Sequence, residues 1–238
     1  MKMPKPNLAA RLERILTLRI LRGVYAPDST LPSIRALALE FETTIPTIQR
    51  VVARLEAHRL LTSRPGSGMT VSAPERASLS IAPLWLEAYR EQPERAAGIL
   101  ADFLELRRVI AAHLLTQHRH KLLAEPTLLQ AALAAGQATE PGDRMEADLA
   151  FTQLFLRLCG QVASQAVFNT VEQILREVPA VADAFYGEAA QHQQLIGQLV
   201  LALASPDPTI GFERAMAAWD AGAVERFRQG LLRSLLGA

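Results

Sequence analysis

Between positions 35 and 64 lie several side chains suited to a polyanion: Arg35, Thr47, Gln49, Arg50, Arg54 and Arg64. Guanidinium groups fork onto guanine edges, carboxamides onto adenine, and hydroxyls onto either, so Thr47, Gln49 and Arg50 within one helical turn have the chemistry to read bases. Arg64 precedes Gly66, Ser67 and Gly68, a hairpin tip that would bring a cation and backbone N–H groups to phosphate or the minor groove. His113, His118 and His120 carry metal-binding donors, but Arg119 and Lys121 between them oppose a bound cation, so they read as a solvated helix end. No Ser-His-Asp elbow, H-E-x-x-H, phosphate loop or paired-cysteine motif is present, which argues against an enzyme.

Positioning those groups falls to a short run of elements. Thr44 is a good N-cap and Pro46 sits in the first turn of a helix whose Ile48, Val51, Val52 and Leu55 share one face. Gln49, Arg50, Ala53 and Arg54 are then expected to point away from the core. From Pro46 to Ala57 this helix would run about 18 Å, enough to cross a B-form major groove. Pro32 and Ser33 mark the start of a preceding helix that buries Leu37, Ala38 and Phe41 and carries Arg35 in its first turn. Leu60 and Leu61 lead into a strand at Thr62–Arg64, with a return strand over Met69–Ser72. Upstream, residues 1–6 read as a basic arm. Asn7 caps a bracing helix with Leu8, Leu12, Ile15 and Leu16 on one side, ended by Gly23 and the Tyr25–Asp28 turn. Lys2, Lys5, Arg11, Arg14, Arg19 and Arg22 concentrate positive charge there.

Helix, turn, helix and hairpin in this order make a winged helix-turn-helix. The runs GVYAPDSTLPSIRALA, TIQRVVARLEAHRLL and RPGSGMTV resemble the DNA-binding domain of the GntR family of bacterial transcription regulators over about the first seventy-five residues. Arg35 and Thr47 match the family pattern. Thr43, Thr44, Ile45 and Gln49 depart from its usual V-S-R-x-T-V-R, so a different operator preference is expected. The expected DNA face comprises Ser33, Arg35, Thr44, Thr47, Gln49, Arg50, Arg54, Arg64, Gly66, Ser67 and Gly68.

The chain has 238 residues with 50% hydrophobic content, enough for one large or two modest cores, and a net charge of +1 that says nothing of nucleic acid by itself. A lone Cys159 excludes an intramolecular disulfide framework. With neither a signal peptide nor a long uncharged apolar run, the expectation is a cytoplasmic protein without a membrane partner. Ala73-Pro74-Glu75-Arg76 begins a composition shift, which places the domain boundary between residues 1–74 and 75–238.

The second part reads as an antiparallel α-helical bundle. Pro83, Pro93, Pro126, Pro141-Gly142, Gly160, Pro179, Gly187 and Pro206-Asp207-Pro208 divide it into six or seven helices with no strand between them. Ile99, Phe103, Leu106 and Ile110 form one apolar stripe, and Leu149, Leu154, Phe155 and Leu158 another; both are expected core.

The pieces DFLELRRVIAAHLL, EADLAFTQLFLRLCGQ, QHQQLIGQLVLAL and FERAMAAW resemble the effector-binding domain of the FadR branch of GntR regulators, across most of Asp102–Trp219. Many members of that branch hold a divalent metal with one aspartate and three histidines. Here Asp148 and His192 stand at two of those places, while Thr152 and Trp219 occupy the others. Asp148 and Thr152 share a helix face, but a threonine hydroxyl is a poor substitute for imidazole, and two good ligands fall below the three or four of protein zinc sites. No cofactor is therefore expected, and Asp148 and His192 are expected to hydrogen-bond each other. The fatty-acid-responsive type of this branch has also lost the metal histidines. That likeness implies a pocket lined by Leu104, Arg107, Asp148, Thr152, His192, Trp219 and Phe227, with an acyl-type effector and Arg107 at a carboxylate or phosphate. It differs at Asp220 and Ala223 from the small or hydroxyl residues usual there.

These features together imply a ligand-responsive regulator of mostly α fold, binding an inverted-repeat, double-stranded DNA operator as a homodimer. The alternatives are a sensor of a small carboxylate metabolite and a DNA-binding protein without effector.

Overall fold

The computed structural model describes residues 8–64, 66, 68–204 and 208–237. The basic arm of residues 1–6, the Asn7 cap, Ser67, Pro206 and Asp207 lie outside them. The chain forms two compact units, residues 1–89 and 90–238.

The first unit runs α1 (Leu8–Leu21), β1 (Thr30–Leu31), α2 (Ile34–Glu40), α3 (Ile45–Ala57), β2 (Leu61–Arg64) and β3 (Gly68–Val71). Two short 3-10 turns and α4 (Ala82–Ala88) follow. Capping sets both helix starts of the central motif. The Ser33 hydroxyl accepts from the Ala36 N–H at 3.2 Å, and the Thr44 hydroxyl accepts from the Thr47 N–H at 3.4 Å, satisfying donors that a helix start leaves open. Leu37, Ile48, Val51, Leu55 and Leu60 are fully enclosed and make one core with Leu16 and Ile20 of α1.

The sheet order is β1-β3-β2, antiparallel throughout. Thr62 pairs with Thr70 and Arg64 with Gly68, while Thr30 and Leu31 add a third strand beside β3. The return strand begins one residue before the expected Met69, because Gly68 at φ +82° turns the chain directly into the ladder. Strand β1 was not anticipated; two residues carry no period.

Two sequence expectations shift in this unit. In α1 the buried face is Ala9, Leu12, Leu16, Thr17, Ile20 and Leu21, whereas Leu8 and Ile15 are 49% and 37% exposed. Packing against both α3 and α4 centres the buried stripe on Leu12, Leu16 and Ile20. The unit also runs past Pro74 to Tyr89. Ile81 and Ala88 join its core, and the Tyr89 hydroxyl donates to the Leu21 carbonyl at 2.7 Å. Pro74 starts a 3-10 turn and ends no domain.

The second unit contains α5 (Pro93–Leu123), α6 (Pro126–Gln137), α7 (Pro141–Cys159), α8 (Val162–Glu177), α9 (Pro179–Tyr186), α10 (Ala189–Ala204) and α11 (Pro208–Leu236). Five of these begin at a proline, where the missing N–H would be unpaired anyway. Gly160 closes α7 in the left-handed conformation at φ +69°, donating its N–H to the carbonyls of Leu156 and Arg157. The α5 stripe is rotated from the expected one: Leu100, Phe103 and Leu104 are buried, and Leu106 is 42% exposed. On α7, Leu149 and Phe155 are core as expected, and Leu154 and Leu158 pack partly buried.

Candidate functional site

On the first unit, α3 presents Gln49 and Arg50 to solvent while Ile48, Val51 and Val52 hold it from behind. Arg35 at the start of α2 and Arg64 at the end of β2 are also exposed, and among the described residues Arg35, Arg50 and Arg64 make no ion pair. Unpaired guanidinium groups on one capped helix, its neighbour and a hairpin are suited to phosphate and base edges. Gly66 and Gly68, at φ +77° and +82°, let the hairpin turn tightly. The Glu56 carboxylate accepts from the Ser63 N–H at 2.9 Å, fastening the hairpin to α3.

Three expected DNA contacts take other roles. Arg54 donates to Glu13 of α1 at 2.7 Å, and His58 meets the other oxygen of the same carboxylate at 3.2 Å. Arg54 therefore braces α3 on α1 through a surface ion pair. The Ser33 and Thr44 oxygens face their own helix starts as caps; the Thr44 hydroxyl also lies 2.9 Å from that of Thr47. Two of the three arginines of α1 are likewise held in ion pairs. Arg14 meets Glu87 and Arg19 meets Glu40, both at 2.5 Å, and Arg22 donates to the Ala88 carbonyl.

The second unit contains a partly open cavity of about 80 Å³. Its walls carry the aromatic rings of Phe151, Phe155, Phe168, Phe212 and Trp219, with Leu128, Leu195 and Leu199 from α6 and α10. Arg107, Asp148, Thr152 and Trp219, all expected pocket residues, do line it. Leu104 and Phe227 do not: each is only 1% exposed within the helix packing. His192 is also absent from the lining; its ring is fully buried, edge-on to Tyr186 at 5.6 Å and to Trp219 at 5.9 Å.

The polar contacts differ from those expected. Arg107 donates to Asp220 of α11 at 2.6 Å, and Arg108 stands 3.8 Å from the other carboxylate oxygen. An effector's acid group would therefore have to compete with Asp220 for Arg107. Burial raises the Asp220 pKa, and the two arginines oppose that shift without reversing it.

Asp148 accepts the Tyr186 hydroxyl at 2.7 Å and makes no hydrogen bond to His192. Tyr186 is enclosed, so burial first and the Asp148 charge second push its phenol well above the ordinary range. The His192 nitrogens have no partner among the described residues. Burial holds the ring toward its neutral form, although the Asp148 charge pulls the other way.

Sequence reasoning missed Tyr186 and Arg144. Arg144, only 2% exposed, donates twice to the Tyr186 carbonyl and once to that of Thr139. An arginine in the first turns of a helix looks solvated from its sequence, and no local signal marks the carbonyls it serves.

Comparison with known proteins gives the same picture in two layers. Residues 8–71 match the family described as bacterial regulatory proteins, gntR family. Over 73 residues the chain is 36% identical to the uncharacterized HTH-type transcriptional regulator YjiR of Escherichia coli strain K12. That stretch is 31% of this chain and spans 15% of the relative's length. A solved structure described under the control by Lar of the Listeria monocytogenes agr system is 14% identical with a TM-score of 0.55. It covers 95% of this chain and 99% of its own, so the fold is shared along nearly the whole length. A GntR family member from Pseudomonas syringae pv. tomato aligns at 18% identity and a TM-score of 0.44, over 99% of this chain and 91% of its own. Capped helices, wing and family match coincide on the same residues, so residues 8–71 form a winged helix-turn-helix that matches the gntR family of bacterial regulatory proteins.

Proposed function

We propose that this chain is a ligand-responsive transcription regulator that binds an inverted-repeat operator as a homodimer and senses a small, largely apolar effector in the second unit. The observation that carries the reading is the pairing of a solvent-facing Gln49–Arg50 helix with a separate aromatic-lined cavity. One recognition helix reads a short half-site, and a two-fold protein doubles it, which favours a palindromic target.

The cavity supports an acyl or aromatic body on the effector, through its phenylalanines, leucines and Trp219. Its volume of about 80 Å³ is well below the roughly 300–1,000 Å³ of drug-sized ligand pockets, so a short chain or single ring fits the reading better than a long acyl chain. Linkage then fixes the mechanism. An effector that binds better to the dimer geometry unsuited to DNA weakens DNA binding by the same factor as DNA weakens its own.

Selection of bound duplexes from a random library by the full chain tests the DNA half. Enrichment of an inverted repeat is expected, and enrichment of an asymmetric half-site or of nothing would overturn it. For the sensing half, hexanoate, octanoate, benzoate and phenylacetate are titrated against melting temperature and affinity for the selected duplex. At least one is expected to shift both, and no shift by any of them would overturn the apolar-effector reading.

A further inference from the structure

Helices α6 and α10 pack side by side, so closely that a Cβ on Gly136 would meet Ile196 Cγ2 at 3.2 Å. Neither helix contains an aspartate, glutamate, lysine or arginine, in a chain where such residues make up 21%. His192 is their one titratable side chain, and it is fully buried. Their outer face is nevertheless solvent-exposed. It shows Leu129, Leu133 and Leu201 at 48%, 49% and 73% exposure, among glutamines, Ala134 and Gly197.

A surface helix of a bundle ordinarily carries charge on its outward side. The helices packed against these two do so: α7 exposes Glu146, paired with Arg176, and α11 exposes Glu225, paired with Arg228. An outer face of leucine, glutamine and small residues has instead the composition of an interface core, where charge is depleted.

We propose that this α6–α10 face is where a second copy of the chain docks, deepening the dimeric reading above by assigning its surface. A two-fold contact sets residues near the axis against their own copies, so any charge there would meet its like. A neutral face escapes that repulsion and makes self-association its natural use. Glutamine side chains can both donate and accept, so they pair with their own copies equally well. Gly197 and Ala134 allow the partner's helices to approach closely.

The assignment also links the dimer to the cavity. Leu128 of α6 and Leu195 and Leu199 of α10 line the cavity from the inner side of the same helix pair. A ligand that moves those leucines acts on helices whose outer side holds the partner.

The test uses the full chain, with mass measured by light scattering across micromolar concentrations. Wild type is expected at twice 26.0 kDa. Leu133→Glu and Leu201→Glu are each expected to run as the single chain with helical circular dichroism retained. Val162→Glu, at an 85% exposed apolar position on α8, is expected to stay dimeric. Gln194→Cys and Gln198→Cys supply a second readout that needs no disruption, because oxidation should join two chains through the face while the native Cys159 stays buried. A wild-type dimer that survives both glutamates and does not cross-link overturns this surface and leaves the dimeric reading standing. A wild-type monomer overturns both.

Discussion

Arg107 and Asp220, 113 residues apart in sequence, meet at 2.6 Å and clamp α5 to α11 beside the cavity, with exposures of only 12% and 5%. Arg108 approaches the same carboxylate, so a single acid neutralises part of the field of two cations. Removing the acid leaves both guanidinium groups facing a largely dry wall. Asp220→Ala is expected to destabilise the chain by about 3–5 kcal/mol, the usual effect of stripping one member from a buried pair. Asp220→Asn, which keeps a hydrogen-bond acceptor for Arg107, should lose less. Urea unfolding of the three proteins checks the order, and equal stability of wild type and Asp220→Ala would show that the clamp carries no weight.

On the proposed DNA face, Arg50 and Arg54 separate two roles that their spacing alone does not distinguish. Arg50→Ala is expected to weaken binding to the selected duplex by about 1–3 kcal/mol if it forks a guanine, with relaxed preference at one base pair. Arg35→Ala should lose affinity as well. Arg54→Ala acts through the Glu13 brace. At 46% side-chain exposure that pair is worth only about 0–1 kcal/mol of stability, and base preference should stay as in wild type. A change of base preference in Arg54→Ala, determined by the same library selection, would return Arg54 to the DNA face.

Arg144 is a sharper stability test, since its guanidinium serves the Tyr186 and Thr139 carbonyls from a position 2% exposed. Arg144→Met keeps most of the volume but strands those buried acceptors, so a loss of about 2–5 kcal/mol is expected from several unmade bonds to a charged donor. Loosening of the Tyr186 backbone should also disturb the hydroxyl on Asp148. Hydrogen exchange at α9 reads that local effect apart from global unfolding.

The winged helix-turn-helix was legible because its information is local. Thr44 caps three residues ahead, Pro46 fits a first turn, and the period of Ile48, Val51, Val52 and Leu55 fixes which side of α3 is buried. Prolines similarly announced the starts of α5, α6, α7, α9 and α11. What escaped depends on partners far along the chain. Glu13 captures Arg54 from 41 positions away, and Tyr186 reaches Asp148 from 38. Asp220 reaches Arg107 across the whole bundle. The boundary escaped for a related reason: Pro74 breaks a strand, but only packing reveals that Ile81, Ala88 and Tyr89 still belong to the first core.

His192 gives the last test, because its buried ring has two nitrogens without partners among the described residues while its edges pack well against Tyr186 and Trp219. Phenylalanine reproduces the ring and removes the stranded polar atoms. His192→Phe is expected to raise stability by about 1–3 kcal/mol, the penalty an unsatisfied buried group imposes. The pH dependence should change with it. Burial lowers the folded pKa below the ordinary 6.5, so the unfolded chain takes up the proton first. Stability that is fully present above 6.5 is therefore lost as pH falls toward the lower, folded value. Wild type should melt lower at pH 5 than at pH 8 by a component that His192→Phe lacks, once the carboxylate contribution common to both is subtracted. If the phenylalanine variant instead melts lower than wild type at pH 8, the imidazole nitrogens hold something that stabilises the fold, and the ring is a binding group after all.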